Sequence, residues 1–388
     1  DTRWQHFWNS GELQVLGYIN NNKALNVGLG PNAWDNWQFN QKLLETGLFT
    51  MVKQTFHFLE VKVGANGHGA FLSKQSETGS YNEPKTQSFT LGTFGEVAWE
   101  PLSNLIVSVG ARYDFIALAL KDSQGITFAG GKKNKNLNFA SLRAGVSYLK
   151  DFWIFKVSGG NGFTAPNVLQ LTGNYTGPWG DYQGNPHLDP EKSWALQASG
   201  GIMAQHSLLF SYHRQKINNR IASTPYEFGL PTTYINQKEV ILENLGLEGK
   251  LVWQNKKSLW NASLNLRSVY YTQLKDKETK KNLPYLPRFK TTLGGFLSYH
   301  NLAFLSVEGV YTGTFTDGFS QKKLGKTFSC DVGLKALPFG FFLDQSHLNN
   351  LSIEFKILNL TNEKIVWVDG YPLPQRNYKI SFEYNFPF

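Results

Sequence analysis

Polar and apolar residues alternate along most of this chain, and the segment NYKISFEYNFPF at its end shows it without interruption. Tyr378, Ile380, Phe382, Tyr384, Phe386 and Phe388 fall on one side, with Asn377, Lys379, Ser381, Glu383, Asn385 and Pro387 on the other. Successive side chains of a strand point to opposite faces, so this segment predicts a ribbon with one aromatic face and one polar face. The same period recurs upstream. Leu105, Val107, Val109, Ala111, Tyr113, Phe115 and Ala117 oppose Ser108, Gly110, Arg112 and Asp114. Trp260, Ala262, Leu264 and Leu266 oppose Asn261, Ser263, Asn265 and Arg267, and Leu351, Ile353, Phe355 and Ile357 oppose Ser352, Glu354 and Lys356. A helical period of 3.6 is sustained nowhere.

The connections alternate as well. Short ones fall near residues 101–103, 150–151, 205–206, 255–257 and 300–301. Between them lie long ones at 21–40, 75–86, 121–136, 164–190, 223–236, 272–284, 316–323 and 361–373. Tight turns at one end and long loops at the other are the pattern of an outer-membrane barrel. Strands are expected at 1–8, 11–20, 42–54, 59–74, 87–99, 104–118, 137–149, 152–163, 191–204, 207–222, 239–254, 258–271, 286–299, 303–315, 324–337, 349–360 and 373–388. The fold class is therefore all-β, an antiparallel transmembrane β-barrel, with about 17 strands in the chain. Lipid is the expected partner of the apolar faces.

Composition narrows the alternatives. Aromatic residues make up 15% against 17% charged, with Gly 37 and Met 2, and no apolar run reaches the length of about 18 residues that a spanning helix needs. Cys330 stands alone, which excludes an internal disulfide framework and a multi-cysteine metal site. The opening DTRWQHFWNS lacks a basic segment followed by an apolar one, so any signal peptide is expected to have been removed or to lie upstream. A net charge of +9 raises nucleic acid as a partner. The lysines gather in 132–135 and 275–281, however, which read as solvated loops, and no nucleic-acid partner is expected.

At three places the wording resembles one family. GGNGFTAPNVLQLTG (159–173) followed by GNPHLDPEKS (184–193) is similar to the paired "GFRAP" and "NPxLxPE" signatures of TonB-dependent outer-membrane receptors. VGARYD (109–114) resembles their "GLRYD" strand, and NLTNEKIVWVDGYPLPQRNYKISFEYNFPF resembles their final hairpin. The motif positions are Gly162, Phe163, Ala165 and Pro166 in the first signature and Asn185, Pro186, Leu188, Pro190 and Glu191 in the second. The resemblance implies uptake of a scarce nutrient across the outer membrane of a Gram-negative-type bacterium, usually a ferric siderophore or similar metal chelate, powered by the TonB complex. It also implies a plug domain, which residues 1–388 do not resemble. Plugged transporters of this class have about 22 strands, so the chain is expected to be the C-terminal part of a receptor barrel, with the plug and about five strands upstream. Lipopolysaccharide and the barrel-assembly machinery are further implied partners, the latter reading Phe388, Phe386 and Tyr384 as an assembly signal.

The same residues carry physical readings. Pro166 lacks an amide donor and closes a strand, and Asn185-Pro186 and Asp189-Pro190 initiate turns. Both motifs then stiffen the feet of one long loop, with ligand contact as the alternative role. Between them Tyr175, Trp179, Asp181 and Tyr182 are better contact candidates, because aromatic faces with a few polar groups line sites for bulky ligands. Tyr226, Phe228 and Tyr234 in the next long loop, and Trp367 and Tyr371 in the last, join them. Haem receptors of this family carry a ligating histidine between the two motifs, and none lies between Pro166 and Asn185. His187 is read as a loop residue or, alternatively, an iron ligand. No metal site, catalytic constellation or cofactor is expected. A passive porin remains the alternative to an energised receptor.

Overall fold

The computed structural model describes residues 2–28, 37–76, 81–121, 134–167, 170–171, 174–177, 180–224, 229–254, 259–300, 302–318, 320–338 and 351–384. These residues form strands β1 (Thr2–Trp8), β2 (Gly11–Gly28), β3 (Trp37–Phe56), β4 (Leu59–Ser76), β5 (Tyr81–Leu102), β6 (Leu105–Lys121), β7 (Asn134–Lys150) and β8 (Trp153–Thr164). They continue with β9 (Asn174–Gly177), β10 (Gly180–Gln183), β11 (Glu191–Met203), β12 (Ser207–Ser223), β13 (Thr232–Gln254), β14 (Trp260–Asp276), β15 (Phe289–Tyr299) and β16 (Ala303–Thr312). Last come β17 (Phe315–Thr316), β18 (Lys323–Leu324), β19 (Thr327–Ala336), β20 (Leu351–Leu358), β21 (Val366–Val368), β22 (Tyr371–Pro372) and β23 (Asn377–Tyr384). No helix among the described residues is long and apolar enough to cross a membrane.

Every expected strand is present, and the long connections need correction. β9, β10, β21 and β22 are short strands within segments that the sequence pattern assigns to loops, and β17 and β18 straddle the two ends of the loop expected at 316–323. Several long strands also overrun their expected ends: β2 continues to Gly28, β5 begins at Tyr81 and β13 at Thr232. The ladder of backbone hydrogen bonds does not require apolar side chains, so pairing continues past the point where the alternation fades.

Two compact units divide the chain. One comprises Asp1–Tyr148, Val157–Leu196 and Gln215–Val240, the other Leu149–Lys156, Gln197–Arg214 and Ile241–Phe388. In the first, β1 to β6 form an antiparallel meander with unbroken registers from Trp8↔Gly11 and from Gly11↔Gln54 to Gly28↔Trp37. A bulge between Leu72 and Lys74 interrupts the β4–β5 ladder near its loop end. The turn residues His57 (φ 50°), Asp151 (φ 55°) and His300 (φ 53°) take the left-handed conformation at short connections, where His and Asp are favoured.

The two faces differ as the alternation requires. On one face of the first unit Ile19 (74% exposed), Leu48 and Phe89 are exposed. A fully exposed large apolar side chain forgoes about 1.5–3 kcal/mol of burial, which a lipid environment restores. The opposite face carries charge. Glu60 accepts from Lys53 (2.7 Å) and Lys62 (2.8 Å), Lys62 also approaches Glu96 (3.6 Å), and Arg143 closes the row on Glu96. Arg112, in the GARYD segment, donates through Nε to Asp114 (2.8 Å) and through Nη2 to Asn66 (2.8 Å), and Asp114 is buried. Gly92 leaves the room that this guanidinium occupies, since a Cβ there would collide with it.

In the second unit β14 to β16, β19, β20 and β23 pair in sequence, with registers such as Trp260↔Tyr299 and Leu351↔Tyr384. The last ladder sets Tyr378, Ile380 and Phe382 opposite Ile357, Phe355 and Ile353, and all three of the former are exposed. Cross-strand pairs of this kind stabilise a sheet by about 0.2–1 kcal/mol each. Phe386 and Phe388 lie outside the described residues.

Candidate ligand-binding site at the loop end of the sheet

β8 ends where Pro166 removes an amide donor, and Pro166 is fully buried. The chain then caps one turn reciprocally. The Asn167 amide donates to Gln170 Oε1 (2.9 Å), and the Gln170 amide donates to Asn167 Oδ1 (2.8 Å). That turn aims Leu171 into a cluster with Leu118 and Leu188, each at least nine-tenths buried, flanked by Ile116, Ile221 and Tyr234. Phe163 stacks on Phe139 with ring centroids 3.7 Å apart.

The second motif returns to the first and is pinned along its length. The Asn185 amide donates to Gln170 O (2.7 Å), its side chain donates to Tyr234 O (2.8 Å), and its Oδ1 accepts from the His187 amide (3.0 Å). The Asp189 amide donates to Asn236 Oδ1 (2.8 Å), while Asn236 Nδ2 donates to Asp189 O (2.9 Å) and Asn219 O (2.8 Å). Asn219 takes a left-handed φ of 57° inside β12, presenting that carbonyl. Glu191 accepts from the Ile221 amide (2.7 Å), and Lys135 donates to Pro186 O (3.5 Å) and to Leu188 O. Burial lowers the Lys135 pKa, against a smaller opposing effect of Asp189. With their polar groups bonded inside the fold, Asn185 and Asp189 to Glu191 brace the platform on which the loop rests.

The segment between the motifs is a hairpin rather than an open loop. β9 and β10 pair from Asn174↔Gln183 to Gly177↔Gly180. β9 also pairs with β5 at Tyr81↔Tyr175, and β10 runs parallel to β13 at Tyr182↔Thr232. The hairpin thus joins the loop ends of two strands far apart in sequence. Tyr182 is half-buried; the Tyr234 phenol is pushed up by burial and then by Tyr182. Tyr175 and Asp181 occupy the hairpin's backbone, their side chains outside the described residues, as are Trp179, Tyr226 and Phe228 entirely. His187 is exposed, and no group of three metal-liganding side chains occurs among the described residues.

In the second unit the final loop is likewise structured. β21 and β22 form a hairpin through Asp369 and Gly370 (φ 85°), the latter a position that favours glycine. Trp367 is half-buried against Phe315, with centroids 5.3 Å apart and Lys290 Nζ 6.0 Å from its ring, whereas Tyr371 is exposed. Lys322, in the turn between β17 and β18, bonds Asp369 at 2.6 Å. A recess of about 430 Å³ opens here, lined by Lys322, Lys323, Lys326, Lys364 and Asp369. Sequence reasoning missed these lysines and Asn236. The run QKKLGK was visible as a charge cluster, but nothing local marks Asn236, whose partner lies 47 residues away.

Comparison with known proteins agrees with this architecture. Residues 2–360 match the family model described as TonB dependent receptor-like, beta-barrel. The fold is similar to a mutant of the ferric enterobactin receptor PfeA from Pseudomonas aeruginosa, with a TM-score of 0.73 and 16% identity over 98% of this chain and 60% of that one. It is also similar to the copper transporter OprC (TM-score 0.75, 12% identity, 97% of this chain and 62% of that one). The siderophore receptor PirA from Acinetobacter baumannii gives a TM-score of 0.71 at 14% identity, covering 98% of this chain and 61% of that one. The chain therefore spans about three fifths of the length of these structures. No curated protein matches it in a sequence search. With its paired motifs, all-antiparallel long strands and matching family model, the chain belongs to the TonB-dependent receptor family, within the β-barrel domain.

Proposed function

We propose that this protein is an outer-membrane receptor for TonB-coupled uptake of a scarce nutrient, a ferric siderophore or similar metal chelate. The observation that carries this reading is the braced hairpin β9–β10. A hairpin paired to β5 and to β13 holds residues 174–177 and 180–183 in one arrangement, which lowers the entropy cost of binding a bulky ligand. Within the second unit, and taken by itself, the lysine-lined recess beside β21 and β22 presents a field that favours an anion. Solved structures of similar fold are named as receptors for ferric enterobactin and other siderophores and as a copper transporter, which supports a metal-bearing cargo. Coupling to the TonB complex runs, in this reading, through a plug region outside these residues.

Deleting residues 174–183 from the full-length receptor tests it. Ferric-chelate affinity and uptake fall sharply while the amount in the outer membrane stays at the parent level. Unchanged affinity and uptake contradict the assignment.

A further inference from the structure

Near its loop end β5 changes neighbours. β6 pairs with it from Leu102↔Leu105 as far as Lys85↔Lys121, and among the described residues no further. Beyond that point the edge is taken by β9, at Asn82↔Asn174 and Tyr81↔Tyr175. The exchange falls at an irregularity of the strand itself. Leu72 pairs with Thr86 and Lys74 with Glu83, so Ser73 faces two residues, Pro84 and Lys85. Such a bulge leaves one residue out of the ladder and bends the strand, and a proline supplies no amide hydrogen to either neighbour. The tip at 81–83 is thus set off from the rest of β5 by a break in hydrogen bonding.

The other flank of the hairpin is held differently. β10 runs beside β13 at Tyr182↔Thr232 and Gln183↔Thr233 and leads straight towards Asn185, whose side chain donates to Tyr234 O (2.8 Å) and whose amide donates to Gln170 O (2.7 Å). Leu188 follows in the buried cluster. β13 is itself tied here, the Thr224 amide donating to Thr233 O (2.8 Å) and the Thr233 amide to Thr224 Oγ1 (3.1 Å). One flank is therefore rooted in bonds that continue past its ladder. The other rests, among the described residues, on two residue pairs at the tip of a broken strand. A strand that merely overran its partner would extend the β5–β6 ladder and would not exchange β6 for a hairpin.

We propose that the β9–β10 hairpin is a gate with unequal ends, hinged on β13 and the NPHLDPE segment and latched on the tip of β5. The inference rests on the receptor reading and adds the movement by which bound cargo goes on. Fixed on both flanks, the hairpin is a bar between the loop ends of two strands, and a bulky chelate held against it passes only when one end lets go. The two-pair ladder to β5 is the end that parts first, since segments with few bonds open at the lowest free energy. Latched, the hairpin holds cargo; released, it lets cargo through.

The test is a reversible lock on each end of the hairpin in the full-length receptor, in a Cys330→Ser background that removes the native thiol. Asn82→Cys with Asn174→Cys bridges the latch, and Gln183→Cys with Thr233→Cys bridges the hinge. Affinity for ferric catecholate and hydroxamate chelates, and their uptake by cells, are measured before bridging, after it and again after reduction. Bridging the latch lowers uptake about tenfold or more, with affinity changed less than about twofold, and reduction restores it. Bridging the hinge leaves uptake within about twofold of the reduced form. Uptake by the latch-bridged receptor at the rate of its reduced form overturns the proposal. Equal loss on bridging either end overturns it too, as does a latch pair that fails to bridge under conditions that bridge the hinge pair. A parent without TonB-dependent uptake overturns the receptor reading instead, whereas a parent that has it, with a latch-bridged form that keeps it, overturns the gate alone.

Discussion

Asn236 and Asp189 hold each other through two hydrogen bonds, the Asp189 amide to Asn236 Oδ1 at 2.8 Å and Asn236 Nδ2 to the Asp189 carbonyl at 2.9 Å. One side chain thereby satisfies the backbone of a turn 47 residues away. Asn236→Ala leaves these groups without their partner and costs about 1–3 kcal/mol. Hydrogen exchange on the solubilised receptor should show faster exchange at Asp189 and its neighbours, with the β14–β16 ladder unaffected. Uniform protection in the variant would contradict the bracing role.

Leu188 is fully buried between Leu118 and Leu171, whereas Leu230 is 59% exposed. Leu188→Ala opens a cavity and costs about 2–5 kcal/mol locally. Limited proteolysis should cut within 164–190 sooner in this variant than in Leu230→Ala. Identical cleavage rates would show that the cluster does not anchor the loop.

The long strands were legible because alternation is local: each residue's face follows from its neighbour's, as in Tyr378, Ile380 and Phe382. The motif residues were legible as turn formers, since Pro166 and Pro190 act through their own missing amides. Their partners were not. Asn236, Lys135 and Asn219 meet the NPHLDPE segment through contacts between distant strands, which leave no periodic trace. The short hairpins were missed for a related reason: β9 and β10 are too brief to show a period, and besides pairing with each other they pair with the distant β5 and β13. Tyr234 was read as a loop aromatic, yet it sits in β13, half-buried against the leucine cluster.

Replacing Lys323, Lys326 and Lys364 with Gln while keeping the Lys322–Asp369 pair should weaken binding of an anionic ferric chelate. Exposed charges act over about 10 Å at 0.1 M salt, so the parent's affinity should fall with added salt and the variant's should fall less. Equal affinities and equal salt slopes in titrations of the two proteins would remove this recess from the ligand path.

The Lys322 ammonium is held above its ordinary pKa first by its hydrogen bond to Asp369 and then by that residue's charge. A raised pKa in the folded state contributes stability that is complete below the unfolded value and fades as pH rises through the folded one. The β21–β22 hairpin should therefore be insensitive to pH through the neutral range and loosen only above about pH 10.4. Fluorescence of Trp367 should follow that course, and Asp369→Asn should bring the change to lower pH. A transition near neutrality would contradict it.

Uptake of radioactive iron, supplied as catecholate and hydroxamate chelates to cells expressing the full-length receptor, tests the central claim most directly when TonB is present or deleted. Saturable uptake of at least one chelate that disappears without TonB is the expected result. Uptake that proceeds equally without TonB, rising linearly with concentration, would contradict an energised receptor and mark the protein as a passive pore.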